Sequence, residues 1–304
     1  MTQLQLDKLI FSLVISSISI FFLKIDFNIL FLLFISLIIY FLIIFFEITK
    51  EIPFKKNDYK KIPKIVYVTY YNKKKIPKKV WINLKTFAKG YKIKFFSDDD
   101  CIKYLNKNFG AKFSNKFKEI KLGAHKADFF RYCILLNEGG IYLDVDLVPK
   151  QKFNKIFDHN SKNIFYTVIS NTKIINKKNK LSRFKKLSRR LNDKSEKAIF
   201  QALIATYPNN PIFIKLIKDF WQISNLHLKH DIITIKFFYR LKDIIVKPLS
   251  EGTFVTKNKD KLILFSERNK KISKNEKPDR TGAYPKIFKK NKILFHSRYT
   301  DYPW

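Results

Sequence analysis

Asp144-Val145-Asp146 is the part of this chain best suited to chemistry. Side chains alternate along an extended backbone, so both carboxylates project to one side while Val145 turns to the other. Two hard oxygen donors at that spacing can hold Mg²⁺ or Mn²⁺ and leave positions open for substrate phosphates and water. A solvated pair of loop carboxylates is the alternative, because Asp-x-Asp arises often by chance. The neighbourhood argues against it. Asp128 and Arg131 are three apart on a helical pattern and share a face, and the Arg131 fork can brace a carboxylate or reach a phosphate. Gly139-Gly140 removes side chains where that helix must give way to a strand, which lets backbone or ligand approach closely.

For these groups to converge, Asp144 must end a buried strand and Asp128 must ride a helix packed beside it. Ile141-Tyr142-Leu143 reads as the strand, and a helix from about Leu122 to Leu136 stops at Gly139-Gly140. Upstream, Ile65 to Tyr70 is a β-branched and aromatic run directly after Pro63, as a buried first strand requires. Lys79 to Ala88 has helical spacing, Tyr91 to Phe96 alternates as a second strand, and Ser97-Asp98-Asp99-Asp100 caps a further helix. Two βα units predict an α/β sheet. Further on, the pattern predicts helices over Ala198 to Tyr207 and Pro211 to Ile223, and strand pieces within Phe254 to Phe265 and Ile293 to Phe295. Asn171 to Lys197 holds eleven basic residues against two acidic ones. Within it Leu181, Phe184, Leu187 and Leu191 predict a short basic amphipathic helix suited to a lipid surface, with a solvated loop as the alternative.

The run from Ala124 to Tyr132, continued through Glu138 to Asp146, resembles the sugar-binding region of glycosyltransferase family 32, and is similar to that of the large clostridial toxin glucosyltransferase domains. Ile62-Pro63-Lys64-Ile65-Val66 resembles the family's opening strand, and Tyr91 to Asp99 its second strand and Asp. The resemblance covers most of residues 62 to 150. It implies a GT-A fold, a Rossmann-like mixed α/β sheet flanked by helices, with a UDP- or GDP-linked nucleotide-sugar donor and Mn²⁺ or Mg²⁺. It also implies transfer with retention of anomeric configuration to a glycan or lipid-linked acceptor. Carried over by position, Asp128 and Arg131 would hold hydroxyls of the donor sugar, Asp144 the ribose and metal, and Asp146 the metal. Tyr67 and Tyr70 stand where the family has His-Gln-x-Trp and would line the nucleotide site, Tyr70 stacking on the base, with burial in the core as the alternative for both strand aromatics. His296 would approach the metal and Trp304 the diphosphate.

The start of the chain is of a different kind. Residues 9 to 46 contain only two charged side chains, Lys24 and Asp26. As one helix that run would be about 57 Å long, nearly twice a hydrocarbon core of roughly 30 Å, so it must break. A hairpin of spans at about 9–23 and 27–46 is the preferred reading, with one span plus an interfacial segment as the alternative. Residues 1–50 would then be a membrane anchor, 51–61 a charged linker and 62–304 the catalytic domain. The lysines from Lys50 to Lys64 would keep that domain cytosolic under the positive-inside rule. A type II anchor with a lumenal domain is the alternative. The 22 asparagines form no Asn-x-Ser/Thr site.

Composition excludes several classes. With 46% apolar and 16% aromatic residues among 304, the chain is no disordered or collagen-like polymer. Cys101 and Cys133 cannot make a disulfide framework, and no CxxC suggests zinc. A net charge of +36 points to anionic partners, and leaves a non-catalytic basic membrane module binding anionic lipid or nucleic acid as the competing function. No nucleic-acid motif is present, so no specific nucleic acid is expected, and such a module has no use for carboxylates at Asp128, Asp144 and Asp146.

Overall fold

The computed structural model describes residues 29, 31–40, 52–54, 58–171, 197–222, 230–269 and 285–297. The chain falls into two compact units, Met1–Pro53 with Trp221–His227, and Phe54–Phe220 with Leu228–Trp304. In the first, residues 31–40 are helical, and Phe31, Leu32 and Phe34 are more than half exposed. Ten helical residues span about 15 Å, and no helix among the described residues is long and apolar enough to cross a membrane. Most of the two expected spans lies outside the described residues, as do the basic stretch 172–196 and Trp304.

The second unit is mixed α/β. Its elements run β1 (Ile65–Thr69), α1 (Lys78–Phe87), β2 (Lys92–Phe96), α2 (Asp98–Phe109), α3 (Ala111–Glu119), α4 (Gly123–Glu138) and β3 (Gly140–Asp144). They continue with β4 (Val148–Pro149), α5 (Phe153–Ile156), β5 (Ile164–Asn171), β6 (Lys197–Thr206), α6 (Pro211–Gln222) and α7 (His230–Ile244). The last are β7 (Gly252–Val255), β8 (Lys261–Asn269), β9 (Pro285–Lys289) and β10 (Lys292–His296). One sheet takes them in the order β2-β1-β3-β6-β5-β8-β9-β10-β4, with β7 beside β8. The β1–β2, β1–β3 and β5–β8 pairs are parallel and the others antiparallel. Only three residues separate Asp144 from Val148, yet β4 pairs with β10 at the far end of the order. Three residues bridge at most about 14 Å between flanking Cα atoms, so the sheet must curl.

β1 shows how the layers form. Val66 and Val68 face one core with Val80 and Leu84 of α1, while Tyr67 faces the opposite side. There it meets an aromatic layer in which Phe96 lies 6.3 Å from Tyr67 and 5.0 Å from Phe130. Each such side chain, fully buried, contributes about 1.5–3 kcal/mol. The Ser97 expectation holds in detail: its Oγ accepts from the Asp100 amide at 3.2 Å while Asp100 Oδ2 accepts from the Ser97 amide at 3.0 Å.

One element differs from expectation. Ala198 to Tyr207 reads as a helix, but the residues form β6, hydrogen-bonded between β3 and β5. Its Ala, Gln and Leu residues carry helical propensity, and pairing on both edges with burial of nearly the whole strand overrides it. Pro211–Gln222 is helical as read.

Gly139 and Gly140 bend the chain from α4 into β3 with φ of +64° and +105°. A Cβ on Gly139 would stand 2.5 Å from the Pro208 backbone nitrogen, and one on Gly140 would stand 2.7 Å from the Tyr67 ring. Gly139→Ala is therefore expected to destabilise the protein by about 2–4 kcal/mol, combining positive-φ strain with overpacking against backbone. A denaturant midpoint unchanged from wild type would show that the turn tolerates a side chain.

Candidate functional site

The C-terminal ends of β1 and β3 lie side by side, with Thr69 in register with Asp144. Above them opens a cavity of about 700 Å³. Asp144 and Asp146 both line it and are half-buried, while Val145 between them is buried in the core, the alternation that the spacing predicts.

α4 supplies the next groups. Apolar nearly all round, it is buried along most of its length. That leaves Asp128 and Arg131 at 1% and 3% exposure, where a charge persists only if paired. Arg131 Nη2 donates to Asp144 Oδ1 at 2.9 Å and lies 3.3 Å from Asp128 Oδ1. Its Nε donates to the Ala127 carbonyl, its Nη1 to the Gln201 carbonyl of β6, and its guanidinium carbon sits 4.5 Å over the Tyr142 ring. Asp144, Tyr142 and Asp128 raise its pKa against the opposing effect of burial, which keeps it cationic. The Tyr142 hydroxyl is in turn 2.6 Å from Thr69 Oγ1. His125 Nδ1 lies 3.6 Å from Asp128 Oδ2, and both groups are buried.

Tyr70, directly after β1, lines the cavity with its ring 4.8 Å from that of Tyr71. Burial chiefly, with Tyr71 and Asp146 nearby, raises its hydroxyl pKa. At the same mouth Lys126 Nζ pairs with Asp98 at 2.6 Å, and Lys121 adds a second basic group.

Five of the sequence-read residues thus share one cavity: Tyr70, Asp128, Arg131, Asp144 and Asp146. Tyr67 does not join them. It is fully buried and donates to Glu138 at 2.9 Å, so its ring has no free face for a base. His296 ends β10 in register with Val148 and is absent from the cavity lining. Among the described residues no three His, Cys, Asp or Glu side chains converge on a metal position, so His296 completes no cluster with Asp144 and Asp146. Two half-buried carboxylates opening on a cavity still fit Mg²⁺ or Mn²⁺, whose remaining positions substrate phosphates and water would fill.

The structure adds Thr69, Ser170, Gln201 and Glu267 to the lining. Sequence reading missed the last three because they lie on strands far along the chain, one of them read as a helix. Glu267, two residues past the apolar run Leu262–Phe265 of its strand, is the one available signal.

Residues 50–163 match the family model described as a glycosyltransferase sugar-binding region containing a DXD motif. An uncharacterised glycosyltransferase of Acanthamoeba polyphaga mimivirus is 40% identical over 62 residues, 20% of this chain. The chain spans about a quarter of that relative's length, 25%. Among solved structures, the PaToxG glycosyltransferase aligns over 60% of this chain and 70% of its own, at 13% identity and a TM-score of 0.36.

Proposed function

We propose that this chain is a membrane-anchored, metal-dependent glycosyltransferase of GT-A type, moving a sugar with retention from a UDP- or GDP-linked donor to a glycan or lipid-linked acceptor. One observation carries the reading: Arg131 is held between buried Asp128 and half-buried Asp144 at the floor of a cavity that Asp146 also lines. Such convergence of charge at an opening suits a polar, anionic substrate and has no purpose in a purely structural core.

A bound Mg²⁺ or Mn²⁺ would neutralise charge on the leaving diphosphate. The protein's own residues do the rest. Asp128, fixed by Arg131, accepts hydrogen bonds from donor-sugar hydroxyls and orients the anomeric carbon. Arg131, spanning Asp128 and Asp144, locks the sugar side and the diphosphate side in one geometry. Tyr70 offers a ring for the base. Lys121 and Lys126 place positive charge at the mouth. In the transfer, the acceptor oxygen bonds to the anomeric carbon, the bond to the diphosphate oxygen breaks with its electron pair, and the hydroxyl proton passes to that oxygen.

The direct test is donor hydrolysis by the full chain across a panel of nucleotide sugars with Mn²⁺ present. Asp128→Asn should lower turnover by about two orders of magnitude, while nucleoside diphosphate affinity in calorimetry changes far less, because the carboxylate is assigned to the sugar. Lost nucleotide binding with intact transfer at saturating donor would refute that role.

The anchor reading is supported by the apolar run 9–46 and by the exposed apolar side chains of residues 31–40. With Lys8 and the lysines from Lys50 to Lys64 flanking that run, both ends are expected on the cytosolic side. Protease protection in sealed vesicles with a tag at each end checks this, and a protected C-terminal domain would favour the lumenal arrangement.

A further inference from the structure

The cavity has a second wall that the donor-side carboxylates do not account for. Ser170 on β5, Gln201 on β6 and Glu267 on β8 all line it, and each is more than nine-tenths buried. Register places Ser170 directly beside Glu267 on the parallel β5–β8 pair, so their side chains share a face. Gln201 comes from an irregularity in β6. Tyr166 pairs with Ala205 and Val168 with Phe200, so residues 201–204 oppose Thr167 alone. Bulges of this kind re-aim side chains beside active sites.

The wall is polar in a specific way. The Gln201 amide oxygen accepts from the Tyr132 hydroxyl, which orients the amide, and its Nε2 has no hydrogen-bond partner among the described residues. A buried amide N–H is costly unless something pairs with it, and the side chain that carries this one belongs to the cavity wall. The Glu267 carboxyl accepts from Ser297 Oγ at 2.9 Å, and burial raises its pKa toward the protonated form, which can donate as well as accept. Half-buried Phe200, on the same strand as Gln201, adds an apolar face. No cation belongs to this wall. Among the described lining residues the basic ones are Lys121, Lys126 and Arg131, on α4 and the segment before it, and the last two are already paired with carboxylates.

We infer that Ser170, Gln201 and Glu267 form the acceptor wall of the cavity, which takes a neutral, hydroxyl-rich acceptor of sugar type and discriminates against anionic ones. This rests on the glycosyltransferase reading. Paired donors and acceptors with an adjoining aromatic face match a sugar ring, whose hydroxyls both donate and accept, whereas an anion would find no free cation in this wall to offset its charge.

The test uses the full chain with a donor that it hydrolyses in Mn²⁺, and methyl glucoside, methyl galactoside, methyl mannoside and methyl glucuronide as competing acceptors. Wild type should divert sugar from water to at least one neutral glycoside and not to the glucuronide. Gln201→Leu and Glu267→Ala should each lower the transfer-to-hydrolysis ratio about tenfold, the size of one buried hydrogen bond. A purely structural loss would reduce both reactions and leave the ratio in place. The inference is overturned by an unchanged ratio in both variants, by preferred transfer to the glucuronide, or by refusal of every neutral glycoside. If wild type hydrolyses no donor at all, the glycosyltransferase reading fails, and this inference with it.

Discussion

Asp146→Ala should reduce donor turnover by about three orders of magnitude, and EDTA should do the same to wild type until Mn²⁺ or Mg²⁺ is restored. Losing several kcal/mol of charge stabilisation on a leaving diphosphate produces an effect of that size. Asp146 suits the test because it is half-buried at the cavity and follows β3 on a three-residue link. The variant should therefore fold, and an unchanged melting temperature is the control. Asp144→Asn should cost a similar factor but lower stability as well, because Asp144 accepts the Arg131 hydrogen bond. Full turnover in EDTA, or by Asp146→Ala, would remove the metal from the proposal.

The second large effect is expected at Arg131. Replacing it by Met leaves Asp128 buried beside an apolar chain, along with a Gln201 carbonyl that has lost its donor. Breaking one side of a buried ion pair typically costs about 3–5 kcal/mol, a large part of a domain's stability. Arg131→Met is expected to melt far below wild type or to fail to fold. Arg131→Lys separates charge from geometry: it keeps the cation but cannot reach Asp128, Asp144 and the carbonyl with one planar fork. It should recover part of the stability while turnover stays low. Equal stability of the Met variant and wild type would mean that the cluster is not strained toward pairing. Equal turnover of the Lys variant would mean that the fork does not set the site's geometry.

The floor of the site was legible because its parts are close in sequence. Helix spacing puts Asp128 and Arg131 on one face, strand alternation puts Asp144 and Asp146 on one side, and the glycines between them mark the bend. Local rules suffice for such a constellation, and the structure brings all four residues to one cavity. The opposite wall obeys no local rule. Gln201 sits on a strand whose composition favours helix, and only pairing with β3 and β5 decides its conformation. Ser170 and Glu267 become neighbours through the register of two strands almost a hundred positions apart. Tyr67 shows the reverse error. Resemblance by position placed it at the nucleotide site, but with Val66 and Val68 directed into one core, alternation sends Tyr67 into the other, beside Glu138.

The curl of the sheet bears on when the site can exist. β4 follows the carboxylate pair almost at once but finds its partner only in β10, about 150 positions later. Contacts of such long separation are slow to form, because loop closure must come before the pairing that rewards it. During synthesis the loop bearing Asp146 would leave the ribosome held by β3 and by the packing of Leu147 and Val148 in one core with α1, and would gain its strand partner only after β10 had emerged. A half-made chain would thus carry the whole local motif without the finished geometry of its two carboxylates. Ligand affinity would be acquired late, as a property of the finished fold.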